Sequence, residues 1–260
     1  MATVTQHVPG TFCWPELGTL DQNGAKKFYG SLFGWSFRDN EIGNGEIYTI
    51  FTQGGADVGA LYTLREQERK MAPPHWNAYV AVESADRSAE KAKQLGGTVL
   101  MDPFDVTDAG RMAVIQDPTG AVISLWEAKK HIGVGLLDEP NSLCWTELMT
   151  TDAGKASAFY TGLLPWKTED MSTPGMDYTL YKRGEANAGG MMKIQPQMGP
   201  IPSHWMSYFK VDDCDAKIAK AHGLGGKTLV PAQTVPGVGR FAILTDPQGA
   251  AFAILGPVKA

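Results

Sequence analysis

Two glutamates, two histidines and a set of tryptophans recur at matched places in this chain. Glu16 stands in Cys13-Trp14-x-Glu16-Leu17, and Glu147 in Cys144-Trp145-x-Glu147-Leu148. His75-Trp76 returns as His204-Trp205. A carboxylate beside an imidazole can move a proton as an acid–base pair, or supply two ligands to a metal ion. Burying a carboxylate unpaired on an apolar strand is costly. Glu16 and Glu147 therefore need a partner: an arginine such as Arg111 or Arg240, or a wet cavity that admits a ligand. The tryptophans Trp14, Trp76, Trp126, Trp145 and Trp205 either pack the core or wall a site for a flat or apolar molecule. His75 and His204 follow the proline-bearing stretches 72–74 and 199–203, so each opens a strand and can sit at the rim instead.

Other chemistries find less support. No G-x-S-x-G occurs, and no cysteine–histidine pattern has the context of a nucleophile. The glycine pairs at 54–55, 96–97, 189–190 and 225–226 are not the G-x-G-x-x-G of a dinucleotide cradle. Cys13 and Cys144 neighbour Trp14 and Trp145, so strand alternation turns them the other way, into packing against helices. His7, His131 and His222 fall in a terminus, a linker and a helix end, and read as surface residues.

The elements that position these residues follow from a duplication. FYGSLFGW at 28–35 returns as FYTGLLPW at 159–166, LGG at 95–97 as 224–226, and DPTGA at 117–121 as DPQGA at 246–250. Residues 11–127 form one copy and 141–256 the other, with 128–140 as linker; the second copy is two residues shorter between 166 and 204. Each copy is itself twofold. Residues 11–19 alternate as a strand. Asp21 can cap a helix whose Ala25, Phe28, Tyr29 and Leu32 share one face. Strands follow near 35–39, 46–52 and 56–64. A second strand at 75–83 leads to a helix capped by Ser84 or Asp86 with Ala85, Ala89, Ala92 and Leu95 inward, then strands near 97–104, 111–116 and 120–126. REQERK at 65–70 reads as a solvated link. The pattern is βαβββ, four times. Paired units give an α+β fold with a cupped sheet, helices outside the cup, and a ligand site on the concave side.

The bulk properties agree. The chain has 260 residues, 43% hydrophobic and 20% charged, with a net charge of −5. A core is within reach, and a nucleic acid or an anionic membrane surface is not the expected partner. Three cysteines without a C-x-x-C pair suggest reduced thiols. No signal peptide or membrane-length apolar run is visible. The expectation is a soluble cytoplasmic protein, monomer or homodimer, whose partner is a small organic molecule.

The paired βαβββ units, the F-Y-x-x-x-x-G-W phrase, the L-G-G helix end and G-R…D-P-x-G-A before the last strand together resemble the vicinal-oxygen-chelate superfamily. That family includes glyoxalase I, extradiol dioxygenases and bleomycin-resistance proteins. The resemblance covers about residues 11–256 and implies tandem glyoxalase-like domains. In metal-using members it implies ligands on the first strand of each unit and a glutamate on a late strand. Counted along this chain, those positions fall on Trp14, Asn77 and Ser124 in the first copy and on Trp145, Met206 and Ala253 in the second. None is an ordinary ligand for a divalent ion. The expectation is therefore binding, or metal-independent turnover, of a small molecule in the cups, without a cofactor. Glu16, His75, Glu147 and His204 are the candidate acid–base groups. Trp14, Trp76, Asn77, Arg111, Ser124, Trp126, Trp145, Trp205 and Arg240 are the candidate lining. The alternative is a metal-dependent glyoxalase-type lyase or extradiol-dioxygenase-type enzyme with a shifted Glu/His site.

Overall fold

The computed structural model describes residues 3–173 and 175–258. The first strand, β1 (Phe12–Thr19), leads to α1 (Gln22–Phe33), then β2 (Ser36–Glu41), β3 (Ile47–Gln53) and β4 (Ala56–Thr63). A short helix, α2 (Glu66–Met71), forms where the charge run reads as a plain link; Arg69 Nε ties it to the Leu64 carbonyl at 2.7 Å. The second unit is β5 (His75–Ala81), α3 (Ala85–Gln94), β6 (Thr98–Val106), β7 (Gly110–Gln116) and β8 (Val122–Ala128). The second copy repeats this as β9 (Leu143–Thr150), α4 (Ala153–Leu163), β10 (Lys167–Asp170), β11 (Tyr178–Arg183), β12 (Ala186–Lys193), β13 (His204–Lys210), α5 (Cys214–Gly223), β14 (Lys227–Val235), β15 (Gly239–Thr245) and β16 (Ala251–Gly256).

Local chemistry sets the helix ends as the sequence suggests. The Asp21 carboxylate accepts the Gly24 amide at 3.0 Å, and Gly34 closes α1 with φ of 78°, a left-handed turn open to glycine. Ser84 caps α3 through the Arg87 amide at 3.3 Å.

Each copy builds one eight-stranded sheet. The orders are β2-β3-β4-β1-β5-β8-β7-β6 and β10-β11-β12-β9-β13-β16-β15-β14. The first strands of the two units, β1 and β5, lie antiparallel at the centre, with Glu16 opposite Asn77 and Trp14 opposite Tyr79. In the second sheet Glu147 faces Met206 and Trp145 faces Tyr208.

The pairing of units is crossed. Sheets join units within a copy, but the helix-side cores join units of different copies. One core gathers Phe28, Tyr29, Phe33, Trp35 and Trp76 with Phe209, Ala242 and Phe252. The other gathers Phe12, Val80, Ala92 and Ile115 with Phe159, Tyr160, Trp166 and Trp205. The backs of the sheets thus face each other, with β5 and β13 touching at the centre and α1 with α5, and α3 with α4, packed alongside.

The repeated phrases are the contacts of this interface. A Cβ at Gly97 would stand 2.7 Å from the Phe159 ring, and one at Gly226 3.1 Å from the Phe28 ring. Tyr29 donates to Asp246 Oδ2 at 3.2 Å, and Gln248 Oε1 accepts the Leu20 and Asp21 amides at 2.9 and 2.7 Å. Each F-Y phrase therefore reads the L-G-G and D-P-x-G-A phrases of the opposite copy.

The linker is not a free tether. Val134 donates its amide to the Cys13 carbonyl at 2.8 Å, Gly135 to Asp57 at 2.7 Å, and the His7 ring lies 2.9 Å from the Val134 carbonyl. Val134 and Leu136 are buried.

Candidate functional site

Each concave face has the same floor: one glutamate held by two tyrosines and a tryptophan. In the first cup, Tyr48 donates to Glu16 Oε1 and Tyr79 to Oε2, both at 2.7 Å. Trp14 Nε1 donates to the Tyr48 oxygen at 3.0 Å, which commits the Tyr48 proton to the carboxylate. In the second cup, Tyr178 donates to Glu147 Oε2 at 2.8 Å, Tyr208 to Oε1 at 2.9 Å, and Trp145 Nε1 to Tyr178 at 3.2 Å. β1 and β9 supply Glu and Trp, β5 and β13 one tyrosine, and β3 and β11 the other.

Burial governs the electrostatics. Glu16 and Glu147 are 8% and 7% exposed, and desolvation raises both carboxyls above their usual range, opposed by the phenol hydrogen bonds. Desolvation, reinforced by the nearby glutamate charge, pushes Tyr48, Tyr79 and Tyr208 well above ordinary phenols. A raised carboxyl pKa contributes stability that is present below the unfolded value of about 4.5 and is lost as pH rises through the folded value. Thermal melts of wild type and of Glu16→Gln and Glu147→Gln across pH 4–8 should show it. The variants should gain on wild type as pH rises; a difference that stays flat with pH would contradict the raised carboxyls.

The candidate residues divide between the two faces. Glu16, Trp14, Asn77 and Ser124 share the first concave face with Trp126, whose indole donates to the His131 carbonyl at 2.9 Å. Glu147 and Trp145 share the second. Trp76 and Trp205 touch the cavity, yet their indoles turn away from the two glutamates. Strand alternation turns them into the crossed cores, where they donate to Tyr29 and Tyr160 at 3.0 and 2.8 Å.

Arg111 and Arg240 are also on the wrong face, both as ligand contacts and as partners for the glutamates. Arg111 forks onto Asp86 at 2.6 and 2.9 Å, and Arg240 onto Asp215 at 2.9 and 2.8 Å, in the first turns of α3 and α5. Their cup-facing neighbours are Met112 and Phe241.

His75 and His204 stand at the rim. Each ring nitrogen Nδ1 faces a proline carbonyl two residues earlier, at 2.7 and 2.8 Å. Neither imidazole bonds the glutamate of its cup. In the first cup Asn77 bridges the gap, with His75 Nε2 3.1 Å from its Oδ1 and its amide beside Glu16.

Three features lie outside the sequence reading. The tyrosine pairs are one. They could have been found as Tyr48/Tyr178 and Tyr79/Tyr208, which recur in the two copies. The second is the bulge at Cys13 and Cys144, where register slips between Phe12 and Trp14 and between Tyr208 and Phe209. Alternation fails there, and both thiols group with cup-side residues, Cys13 with Trp14 and Tyr79 and Cys144 with Trp145 and Tyr208. Burial holds the Cys144 thiol up at about 12, far from a reactive thiolate. The third is His131, which is no surface residue: its ring meets the Trp14 edge at a centroid distance of 4.6 Å.

Gly190 marks how tight the second floor is. A Cβ there would overlap the Tyr178 hydroxyl and lie 3.0 Å from Trp145 Nε1. Gly190→Ala should therefore expel Tyr178 from Glu147, seen as a changed near-ultraviolet tyrosine and tryptophan signal in a chain that still folds. An unchanged spectrum would refute the packing.

Both oxygens of each glutamate already accept phenols. Among the described residues no three His, Cys, Asp or Glu side chains gather closely enough to hold a metal. No helix among them is long and apolar enough to cross a membrane.

Comparison with known proteins follows the duplication. The model of the Glyoxalase/Bleomycin resistance protein/Dioxygenase superfamily matches residues 13–125 and 142–254. The chain is 43% identical over 255 residues to "Putative glyoxylase CFP32" of Mycobacterium tuberculosis, covering 97% of each. It is 32% identical over 265 residues to "Anthracycline biosynthesis protein DnrV" of Streptomyces peucetius, covering 97% of this chain and 95% of that one. Among solved structures it is similar in fold to the Mn(II)-bound glyoxalase from Novosphingobium aromaticivorans, with a TM-score of 0.65, 16% identity, and coverage of 96% of this chain and 83% of that chain.

Proposed function

From the premise that this chain belongs to the glyoxalase/bleomycin resistance protein/dioxygenase superfamily, we propose that its cups bind small, flat, largely apolar molecules carrying a hydrogen-bond donor, without a metal. The observation that carries this reading is the Glu–Tyr–Tyr–Trp floor, present in both cups. The walls above it are aromatic and aliphatic, with Trp126, Ile50 and Met112 in the first cup and Phe241, Ile243 and Leu255 in the second. Such a pocket buries a planar ring, and a few convergent polar groups orient it.

The chemistry available is proton handling. A buried carboxylate with a raised pKa accepts a proton more readily than an ordinary one. An enol, phenol or acidic C–H set against Glu16 or Glu147 would meet Oε1 or Oε2 as the acceptor. The tyrosines would hold that oxygen in place and offer hydrogen bonds to a developing oxyanion. The name of the relative from S. peucetius, an anthracycline biosynthesis protein, is in keeping with a flat aromatic ligand. We further take the chain to work in the cytoplasm as a monomer or homodimer, with no nucleic-acid or membrane partner. Its three cysteines, all free, are in keeping with a reducing compartment.

Tryptophan fluorescence tests the reading, since Trp14, Trp126 and Trp145 border the cups. Titration with 2-naphthol should quench saturably, equally with and without a chelator. Glu16→Gln and Glu147→Gln should each weaken one phase of binding, by roughly tenfold for a lost hydrogen bond to a charged group. Absence of quenching would defeat the proposal. So would one divalent ion retained per chain by elemental analysis and lost in His75→Ala, which would favour the metal-dependent alternative.

A further inference from the structure

The two cups share a floor but not a wall. Beside the small direct ladder partners of the glutamates, Ala60 and Gly190, three further positions near each glutamate differ in kind. In the first cup they are Gly18, Tyr62 and Asn77: Tyr62 pairs Gly18 across the β1–β4 ladder, and Asn77 pairs Glu16 across β1–β5. In the second they are Met149, Met192 and Met206, paired in the same way. All three changes run in one direction, from a glycine and two polar groups to methionine.

The first set forms a hydrogen-bonding patch. Asn77 stands beside Glu16 and Tyr62, and His75 Nε2 stands 3.1 Å from its Oδ1. Gly18 makes room for it: a Cβ there would sit 3.3 Å from the Tyr62 hydroxyl and 2.6 Å from the Leu64 side chain. The second set offers three unbranched thioethers, which adapt to irregular apolar shapes and donate no hydrogen bond. Met206 also removes the bridge by which His75 reaches Glu16, so His204 has no polar path to Glu147.

The ends differ as well. The linker closes the first cup, with His131 against Trp14 and its carbonyl on Trp126. Trp14 is buried there, whereas Trp145 in the second cup is half-buried.

We infer that the two cups recognise different molecules: the first a ligand with a second polar group opposite the one held by Glu16, the second a ligand that is apolar beyond the group held by Glu147. The inference rests on the binding reading above and deepens it. Specificity follows from the mismatch penalty. A ligand that is apolar opposite Asn77 strips water from that polar patch and offers no donor or acceptor in its place, and a second hydroxyl buried against methionine goes unpaired in turn.

The methionines supply their own reporters. In the full chain labelled with methyl-13C methionine, Met149, Met192 and Met206 report the second cup. Met112, whose Sδ lies 3.9 Å from the Tyr79 hydroxyl, reports the first. Single Met→Leu variants assign the signals. Titration with 2-naphthol should shift the second-cup methyls at concentrations about tenfold below those that move Met112; 2,7-dihydroxynaphthalene should reverse the order. Asn77→Met with Tyr62→Met should abolish the preference of the first cup for the diol, by about tenfold, the value of one buried hydrogen bond. Equal shifts of both sets by both probes would overturn the inference and leave the binding reading standing. No shift of any methyl with either probe would overturn both.

Discussion

Residues 1–138 and 139–260, produced as separate polypeptides, are expected not to fold as monomers. The reason is the crossed pairing of the cores. Severing the copies would strip Phe28, Phe33, Trp35 and Trp76 of Phe209 and Phe252, which they meet at ring-centroid distances of 5.2 to 6.2 Å. Phe12 would likewise lose Trp166 and Trp205, at 5.7 and 5.0 Å. An aromatic side chain buries about 150–250 Å², and at about 25 cal/mol per Å² one of them is worth about 4–6 kcal/mol. A whole domain is stable by only about 5–15 kcal/mol. Losing several such contacts leaves nothing to hold a half-chain. Size-exclusion chromatography and near-ultraviolet circular dichroism would show each half aggregated or without fixed packing, and mixing should restore the native spectrum. A half that melts cooperatively as a monomer would refute the crossed core.

Phe159→Ala is expected to be the most damaging single truncation at this interface. Phe159 is fully enclosed, and it presses on Gly97 of the other copy. Truncating a buried phenylalanine costs about 3–5 kcal/mol, the lost transfer energy plus the cavity. Because the core is shared, both copies should feel it together. In a urea titration, secondary structure and cup tryptophan fluorescence should move to one lower, common midpoint. Two separated midpoints would show that the copies unfold independently. Phe37→Ala, at a position 49% exposed on edge strand β2, should change the midpoint little.

The duplication, the strand order, the four helices that pack on the sheets and the face of α1 were legible because period and repeat carry them; the short α2, a charge run without an apolar face, was not. Ala25, Phe28, Tyr29 and Leu32 recur at helical spacing, and burial follows directly. The cup was legible only in part. Glu16 and Trp14 are on the concave face because alternation along one strand puts them there. The same alternation excludes Trp76, one residue from His75, and Arg111, one residue from Met112. Tyr48 needed more: its place beside Glu16 depends on how β3 pairs with β4 and β4 with β1, two ladders away, and no local pattern fixes that. The Cys13 bulge is hidden for a related reason, since an extra residue in a ladder leaves no mark in hydrophobic period. His131 was out of reach because a charged linker gives no sign that it folds back over a cup.

The crossed cores also bear on what such a chain is free to change over generations. Neither half can be discarded, since each completes the other's interior. A copy whose ligand had become useless would still be retained for its helix face. Substitution should then run free on the concave side and be held at the shared interior. Between the two copies, Phe28 and Phe159, Trp35 and Trp166, Trp76 and Trp205, and Gly97 and Gly226 are indeed identical, while Gly18, Tyr62 and Asn77 have become methionines. Against that freedom, the four floor residues stayed the same in both cups, outside the two crossed cores. Their persistence is what continued use of both cups would leave behind.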